Sequence, residues 1–277
     1  MVNESNCNGL ALTELLIQHF PAIAETIATN CKTRNIAITI IKGANDYWCR
    51  DFMPLQVTKE KYVQFEFDPS YYKYPGYYHL KTKIRNLSFY PIGEIKRSAI
   101  IMDGGTISYF DKRAIITDKI FRDNPSYEKT RLIDTIAELL ELHEITIVPT
   151  VPNDITGHSD GMVRFVDDDT LLLNDVSLIS SISFQKTLLK ALKKYNLILL
   201  PNDLDKNKKT DQAIGDYINM FGAGNNLFVP AYNNKTDKSA HRIISTAFPK
   251  YNMIPIECTE LAAKAGILHC ATWNYLA

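Results

Sequence analysis

Four short stretches of this chain hold residues whose types and spacing could do chemistry. Near the end, AGILHCATW (265–273) sets a thiol, Cys270, after an apolar pair, with His269 beside it. A thiolate nucleophile needs an acid/base partner from elsewhere in the chain. DITGHSDGMVRF (154–165) offers one. His158 and Asp160 stand two apart, which on an extended segment puts both side chains on one face. One would transfer protons while the other binds or orients. In IIMDGGTI (100–107), Asp103 ends an apolar strand and is followed by Gly104 and Gly105, where backbone can approach a ligand closely. GANDYWCRDFMPL (43–55) carries Asp46 and Asp51, with Trp48 between them and Arg50 beside the second acid. Trp48 offers a π face to a flat cation, and Arg50 could pair with one of the acids. Plainer alternatives stand beside these: Asp103 capping a hairpin, His158 and Asp160 in a polar turn, Cys270 as a small buried hydrophobe. A metal site is also open, though no second histidine lies at ligand spacing from His158. His269 should face away from Cys270 if that stretch is extended.

These residues are far apart along the chain, so the fold must gather them. Helical periodicity runs over 10–31, interrupted at Pro21, and again near 126–142, 182–195 and 236–247. Strands are expected at 35–43, 53–58, 61–67, 98–102, 106–110, 113–117, 145–149, 162–166, 169–173, 197–200, 217–221, 226–230 and 253–257. The polar stretch 202–212 reads as a solvated loop. Alternating strands and helices argue for an α/β or α+β fold. Three segments pair a glycine-bearing turn with two β-rich runs, their turns near 104, 158 and 223, and two more turn-like loops lie at 46–51 and 266–270. A recurrence of roughly 50–60 residues suggests a closed, propeller-like ring whose equivalent turns meet at one end of the axis. Glycine-bearing hairpin turns are the alternative.

Composition narrows the partners. Lys+Arg and Asp+Glu number 31 each among 277 residues, so there is no basic excess for a nucleic-acid backbone. The five cysteines, at 7, 31, 49, 258 and 270, include no C-x-x-C pair, and neither a disulfide framework nor a zinc ribbon is suggested. Residues 8–30 are too polar for a signal or membrane span. The expected setting is cytoplasmic, in one domain spanning 1–277.

Taken together, NDYWCRDFMPL, MDGGTI, GHSDGMVRFVD, FGAGNNLFVPAY and AGILHCATW resemble, in order and spacing, the agmatine deiminase and bacterial-type peptidylarginine deiminase family of the guanidine-modifying superfamily. The resemblance implies the pentein fold, a five-bladed ring of ββαβ units with the site at its hub. It implies Cys270 as nucleophile, His158 as acid/base, and Asp160, Asp51 and Asp103 as the remaining catalytic positions. Asp103 stands where many members have Glu, one methylene longer, and Ser159 and Gly161 stand where members often carry bulkier residues. Asp46, Trp48, Arg50, Gly104, Asn225 and Tyr74 are the expected substrate contacts. No metal or organic cofactor is implied, and the expected partner is a small guanidino compound, with no nucleic acid and no membrane; a homodimer is left open.

The implied chemistry suits these residue types. A guanidinium is planar and cationic, so paired carboxylates can grip its nitrogens. Agmatine is the first expectation, yielding N-carbamoylputrescine and ammonia as in polyamine biosynthesis; free or peptidyl arginine is the alternative. The tyrosine-rich stretch 65–83, with Lys73-Tyr74-Pro75, could close over an alkylammonium tail or be a surface loop. An amidinotransferase or dihydrolase on the same fold, and a non-enzymatic binding module, are the competing classes.

Overall fold

The structure, a computed structural model, describes residues 1–175, 177, 181–202 and 212–277. The chain starts with a 3-10 turn (Glu4–Asn6), then β1 (Gly9–Thr13), α1 (Glu14–His19), α2 (Pro21–Lys32) and β2 (Ala37–Ile41). Thr13 ends the strand and caps the helix, its Oγ1 accepting from the Leu16 N–H at 3.1 Å. Pro21 then opens α2, where no N–H is needed. The helix expected over 10–31 is thus a strand followed by two helices. All five residues of β1 are buried, so it has no polar face to alternate with and its apolar run merges with the helical pattern behind it.

Next come α3 (Cys49–Phe52), β3 (Leu55–Gln56), β4 (Lys61–Glu66) and β5 (Glu94–Ile101). They are followed by β6 (Ile107–Phe110), β7 (Arg113–Thr117), α4 (Lys119–Asp123), α5 (Lys129–Leu140) and β8 (Glu144–Val148). A fourth group holds β9 (Val163–Phe165), β10 (Thr170–Asn174), α6 (Ile182–Ala191) and β11 (Asn196–Leu200). The last is β12 (Phe221–Ala223), β13 (Asn226–Ala231), α7 (Asp237–Ala247), β14 (Asn252–Glu257), α8 (Thr259–Ala262) and β15 (Trp273–Tyr275). The strand expected over 217–221 begins only at Phe221, and 217–220 are loop. Most of the polar loop expected at 202–212 lies outside the described residues.

These strands form five three-stranded sheets. In each, an antiparallel pair is joined to a third strand running parallel to the middle one. A parallel pair needs a crossover, and the helices supply it on the outside: α5 turns Leu132, Ile136 and Leu140 inward, one face at spacings of four. In the second sheet the crossover holds 3-10 turns instead, at Ser70–Lys73, Tyr78–Leu80 and Ile84–Asn86. The fifth sheet joins the chain's two ends, with β15 antiparallel to β1 (Gly9 opposite Tyr275, Ala11 opposite Trp273).

The strand of each sheet's antiparallel pair that lies at the sheet edge (β3, β6, β9, β12 and β15) faces the hub, and polar contacts link them in a circle. Asp51 accepts from the Gly105 N–H at 3.1 Å. Ser108 donates to the Val163 carbonyl at 3.1 Å, and Arg164 to that of Met220 at 2.6 Å. Asn274 donates to the Gly222 carbonyl at 2.9 Å and accepts from Arg50 Nη2 at 2.6 Å, which closes the circle. This is the five-bladed ββαβ ring of the pentein fold. Among the described residues no helix is long and apolar enough to cross a membrane.

Candidate active site

The candidate residues lie just ahead of the hub strands. Asp51 precedes β3, Asp103 precedes β6, His158 and Asp160 precede β9, and His269 and Cys270 precede β15. Each strand enters the hub from the same end, so the segments before them meet there. Asp51 is on the single turn of α3. Asp103 is followed by two glycines whose lack of a side chain is required by close approach. A Cβ on Gly104 would stand 2.1 Å from the Arg50 carbonyl oxygen, and one on Gly105 would stand 2.3 Å from His158 Nδ1.

His158 is held between acids. Its Nε2 donates to Asp103 Oδ2 at 2.9 Å, and Nδ1 lies 3.8 Å from Asp51 Oδ1. Asp103 is in turn bound by Lys119 Nζ at 3.1 and 3.0 Å, and that buried ammonium also meets Asp123 at 2.9 Å. Thr106 donates to Asp103 as well. On the other side, the Cys270 thiol donates to Asp160 Oδ2 at 3.8 Å, and His269 Nδ1 donates to the same oxygen at 2.7 Å. His269 Nε2 lies 3.6 Å from Glu4, which pairs with Arg164. Asn219 Oδ1 accepts the N–H groups of His269 and Cys270 at 3.1 and 3.3 Å, fixing the nucleophile's turn.

The charges follow from burial and these partners. Burial pushes Asp51 up to about 7, opposed by His158 and reinforced by Asp103 and Asp160. Burial works against the Asp103 carboxylate, but Lys119 and His158 outweigh it and hold its pKa far below the usual range. Burial alone would lower the His158 pKa; Asp103 and Asp51 overcome it and raise it to about 10. Asp160 stays low despite burial because His269 donates to it. Burial, then Asp160 and Asp51, push the Cys270 thiol well above its ordinary value. The cluster therefore sets a thiol and an imidazolium among three acids, Asp51, Asp103 and Asp160, an arrangement able to receive a planar cation.

Several expectations need correction. His158 and Asp160 are not on an extended segment. They sit in a turn, with Met162 and Val163 N–H both bonded to the Ser159 carbonyl at 2.9 Å, and reach different partners. His269 does not face away, because 267–271 is also a turn in which the Ala271 N–H bonds the Ile267 carbonyl. Asn225 is exposed in the β12–β13 hairpin, at the end of the sheet opposite the site; the position equivalent to Asp103 is Asn219. Among the described residues Arg50 pairs with no acid; it donates to Asn274 and the His269 carbonyl. Tyr74 is 55% exposed, whereas Tyr71 is buried with its ring 5.9 Å from that of His158. Asp46 is buried and accepts from the Tyr47 N–H at 2.7 Å, and Trp48 stacks edge-on with Tyr47 against Gly266.

Lys119, Asn219, His269, Glu4 and Tyr71 were not singled out as site residues. Two of them had a signal. His269 adjoins the thiol, and Asn219 precedes a hub strand as Asp103 does. Among the described residues no group of three His, Cys, Asp or Glu side chains is placed to hold a metal ion.

Known proteins bear on this geometry. Solved agmatine deiminase from C. jejuni is similar over 100% of this chain and 95% of its own, with 20% identity and a TM-score of 0.78, a likeness in fold. A curated relative from Pectobacterium atrosepticum is 22% identical over 309 aligned residues, covering 94% of this chain and 83% of the relative. One from Marinomonas sp. (strain MWYL1) is 22% identical over 211 residues, and the match spans 64% of this chain and 57% of the relative. Both carry the provisional name agmatine deiminase. The model of the Porphyromonas-type peptidyl-arginine deiminase family matches residues 14–275. With nearly the whole ring and all five hub segments inside that match, the chain belongs to this family.

Proposed function

We propose that this chain is a single-domain hydrolase that deiminates a guanidino compound, agmatine before free or peptidyl arginine, giving a ureido product and ammonia. The observation that carries the reading is the convergence of Cys270, His158 and three buried carboxylates in one cluster at the hub. Asp51 and Asp160 grip the guanidinium nitrogens, each charged hydrogen bond contributing about 1.5–3 kcal/mol. Burial, with Asp160 and Asp51, holds the Cys270 thiol protonated; the bound cation offsets these, and the thiol gives its proton to solvent on binding.

The thiolate attacks the guanidinium carbon and a C–S bond forms. His158 Nδ1, facing Asp51 rather than Asp103, gives its proton to one nitrogen, and ammonia leaves. The remaining thiouronium is attacked by a water whose proton returns to His158. Collapse of that adduct breaks the C–S bond and restores Cys270. Asp103, bonded to His158 Nε2 and backed by Lys119, orients the imidazole. The agmatine preference draws support from the curated relatives' names, the arginine alternative from the family's description. The described cysteines are all free thiols, in keeping with a reduced, cytoplasmic setting.

Ammonia release from agmatine, free arginine and a peptide ending in arginine, at equal concentrations, tests the reading. Wild-type protein should release ammonia fastest from agmatine, and Cys270→Ala should release none above background. Equal release by both proteins removes Cys270 from the role; agmatine as the poorest of the three overturns the preference.

A further inference from the structure

Beside the Asp160 grip lies a polar notch that the reaction above does not use. Asn174, at the end of β10, is 4% exposed. Its Nδ2 donates to the Gly161 carbonyl and to Asp216 Oδ1, both at 2.9 Å. Two acceptors fix the amide's orientation, since the reverse placement would set oxygen against oxygen. The amide oxygen, Asn174 Oδ1, is buried and has no hydrogen-bond partner. A buried acceptor left unpaired is costly and calls for a donor.

Asp216 adds a second acceptor. Its Oδ1 also takes the Ile218 N–H at 2.9 Å, while Oδ2 faces the bare Cα of Gly161. A Cβ there would meet only Asp216 Oδ2, at 3.6 Å, so the space is open. The notch is at the site's end of the sheet. β10 runs antiparallel to β9, so Asn174 lies level with the turn carrying Asp160, and Asp216 stands three residues ahead of Asn219, which holds the Cys270 turn. Burial raises the Asp216 pKa to about 7, with Asp160 adding to it; a cation bound there would restore the carboxylate.

We propose that Gly161, Asn174 and Asp216 form a subsite for a second positive group on the substrate, a primary ammonium at the end of an alkylguanidine. This deepens the deimination reading and rests on it. An ammonium carries three donors and no acceptor, matching the unpartnered Asn174 Oδ1 and the Asp216 carboxylate oxygen that faces Gly161. An α-carboxylate in the same place would meet Asp216 with like charge. The subsite therefore selects a guanidinoalkylamine over arginine.

Calorimetric binding to the Cys270→Ala protein, which needs no turnover, tests this separately from the reaction. Agmatine and n-butylguanidine differ only in the terminal ammonium. Agmatine should bind about tenfold more tightly, as one charged hydrogen-bonded contact warrants. Adding Asp216→Asn should bring the two within about twofold. Gly161→Leu, which fills the notch and leaves the carboxylate in place, should do the same, and thermal melts confirm folding of each variant. An equal affinity for the two ligands in the parent, or an advantage for agmatine that survives both substitutions, overturns the subsite. Absence of ammonia release by the unsubstituted enzyme would instead count against the deimination reading.

Discussion

At the scale of single residues, the site is organised by how acids are kept charged while a histidine is kept protonated. Asp103 is one methylene shorter than the family's usual Glu, yet it reaches His158 Nε2 at 2.9 Å because Gly105 lets the imidazole approach and Lys119 holds the carboxylate from behind. Replacing Lys119 by Met would leave Asp103 and Asp123 buried without their cation. A loss of about 3–5 kcal/mol is expected, read from urea unfolding. The pH dependence of kcat/KM has a definite sign as well. Asp51 must be ionised to hold the substrate, and with its pKa raised to about 7 the grip fades as pH falls through that value. His158 must carry a proton, and with its pKa raised to about 10 that proton is lost as pH climbs through that value. A bell with limbs near those two values is expected, and Asp51→Asn should abolish the acid limb while raising KM. A profile still climbing above pH 10 contradicts the assignment of His158.

At the scale of elements, the turns ahead of the hub strands do the positioning, and this is where the sequence was only partly legible. Strands such as Asn252–Glu257, where buried Ile254 and Ile256 alternate with exposed neighbours, and helices such as Asp237–Ala247 show their period plainly because one face is buried and the other is not. β1 hides because both of its faces are buried. A glycine-bearing turn looks the same whether it enters a strand or joins two of them, which is why position 223, in a hairpin, was read in place of Asn219. Short-range spacing also misled: the two-residue interval from His158 to Asp160 implies one face only in extended chain, and the chain turns there. The acids and the thiol are legible because they stand in turns beside glycines or aromatics, in motifs whose order and spacing resemble the family's. Tyr71 and Lys119 escaped because their meaning depends on a neighbour from another blade. Gly105→Ala tests the positioning directly. The added methyl would displace the imidazole, and kcat should fall about a hundredfold with little change in KM. A variant with unchanged kcat would show that the close approach is incidental.

At the scale of the whole molecule, chemistry and closure share a segment. β15 completes the sheet that joins the termini, and Cys270 lies three residues before it. Trp273 is 2% exposed, stacks on Tyr275 with ring centres 5.0 Å apart, and donates to the Pro54 carbonyl at 2.9 Å. Trp273→Ala should cost about 3–5 kcal/mol and lower activity together with stability, since loosening the seam frees the nucleophile's turn; differential scanning and an ammonia assay on one preparation would show both.

The central claim is that substrate carbon becomes bonded to sulfur 270. Acid quench during agmatine turnover, followed by peptide mapping in the mass spectrometer, reads that bond. The account predicts an N-(4-aminobutyl)amidino adduct, the substrate less ammonia, on the peptide holding Cys270, absent in Cys270→Ala. Ammonia release at full rate with no adduct there, or with one on another side chain, would contradict it.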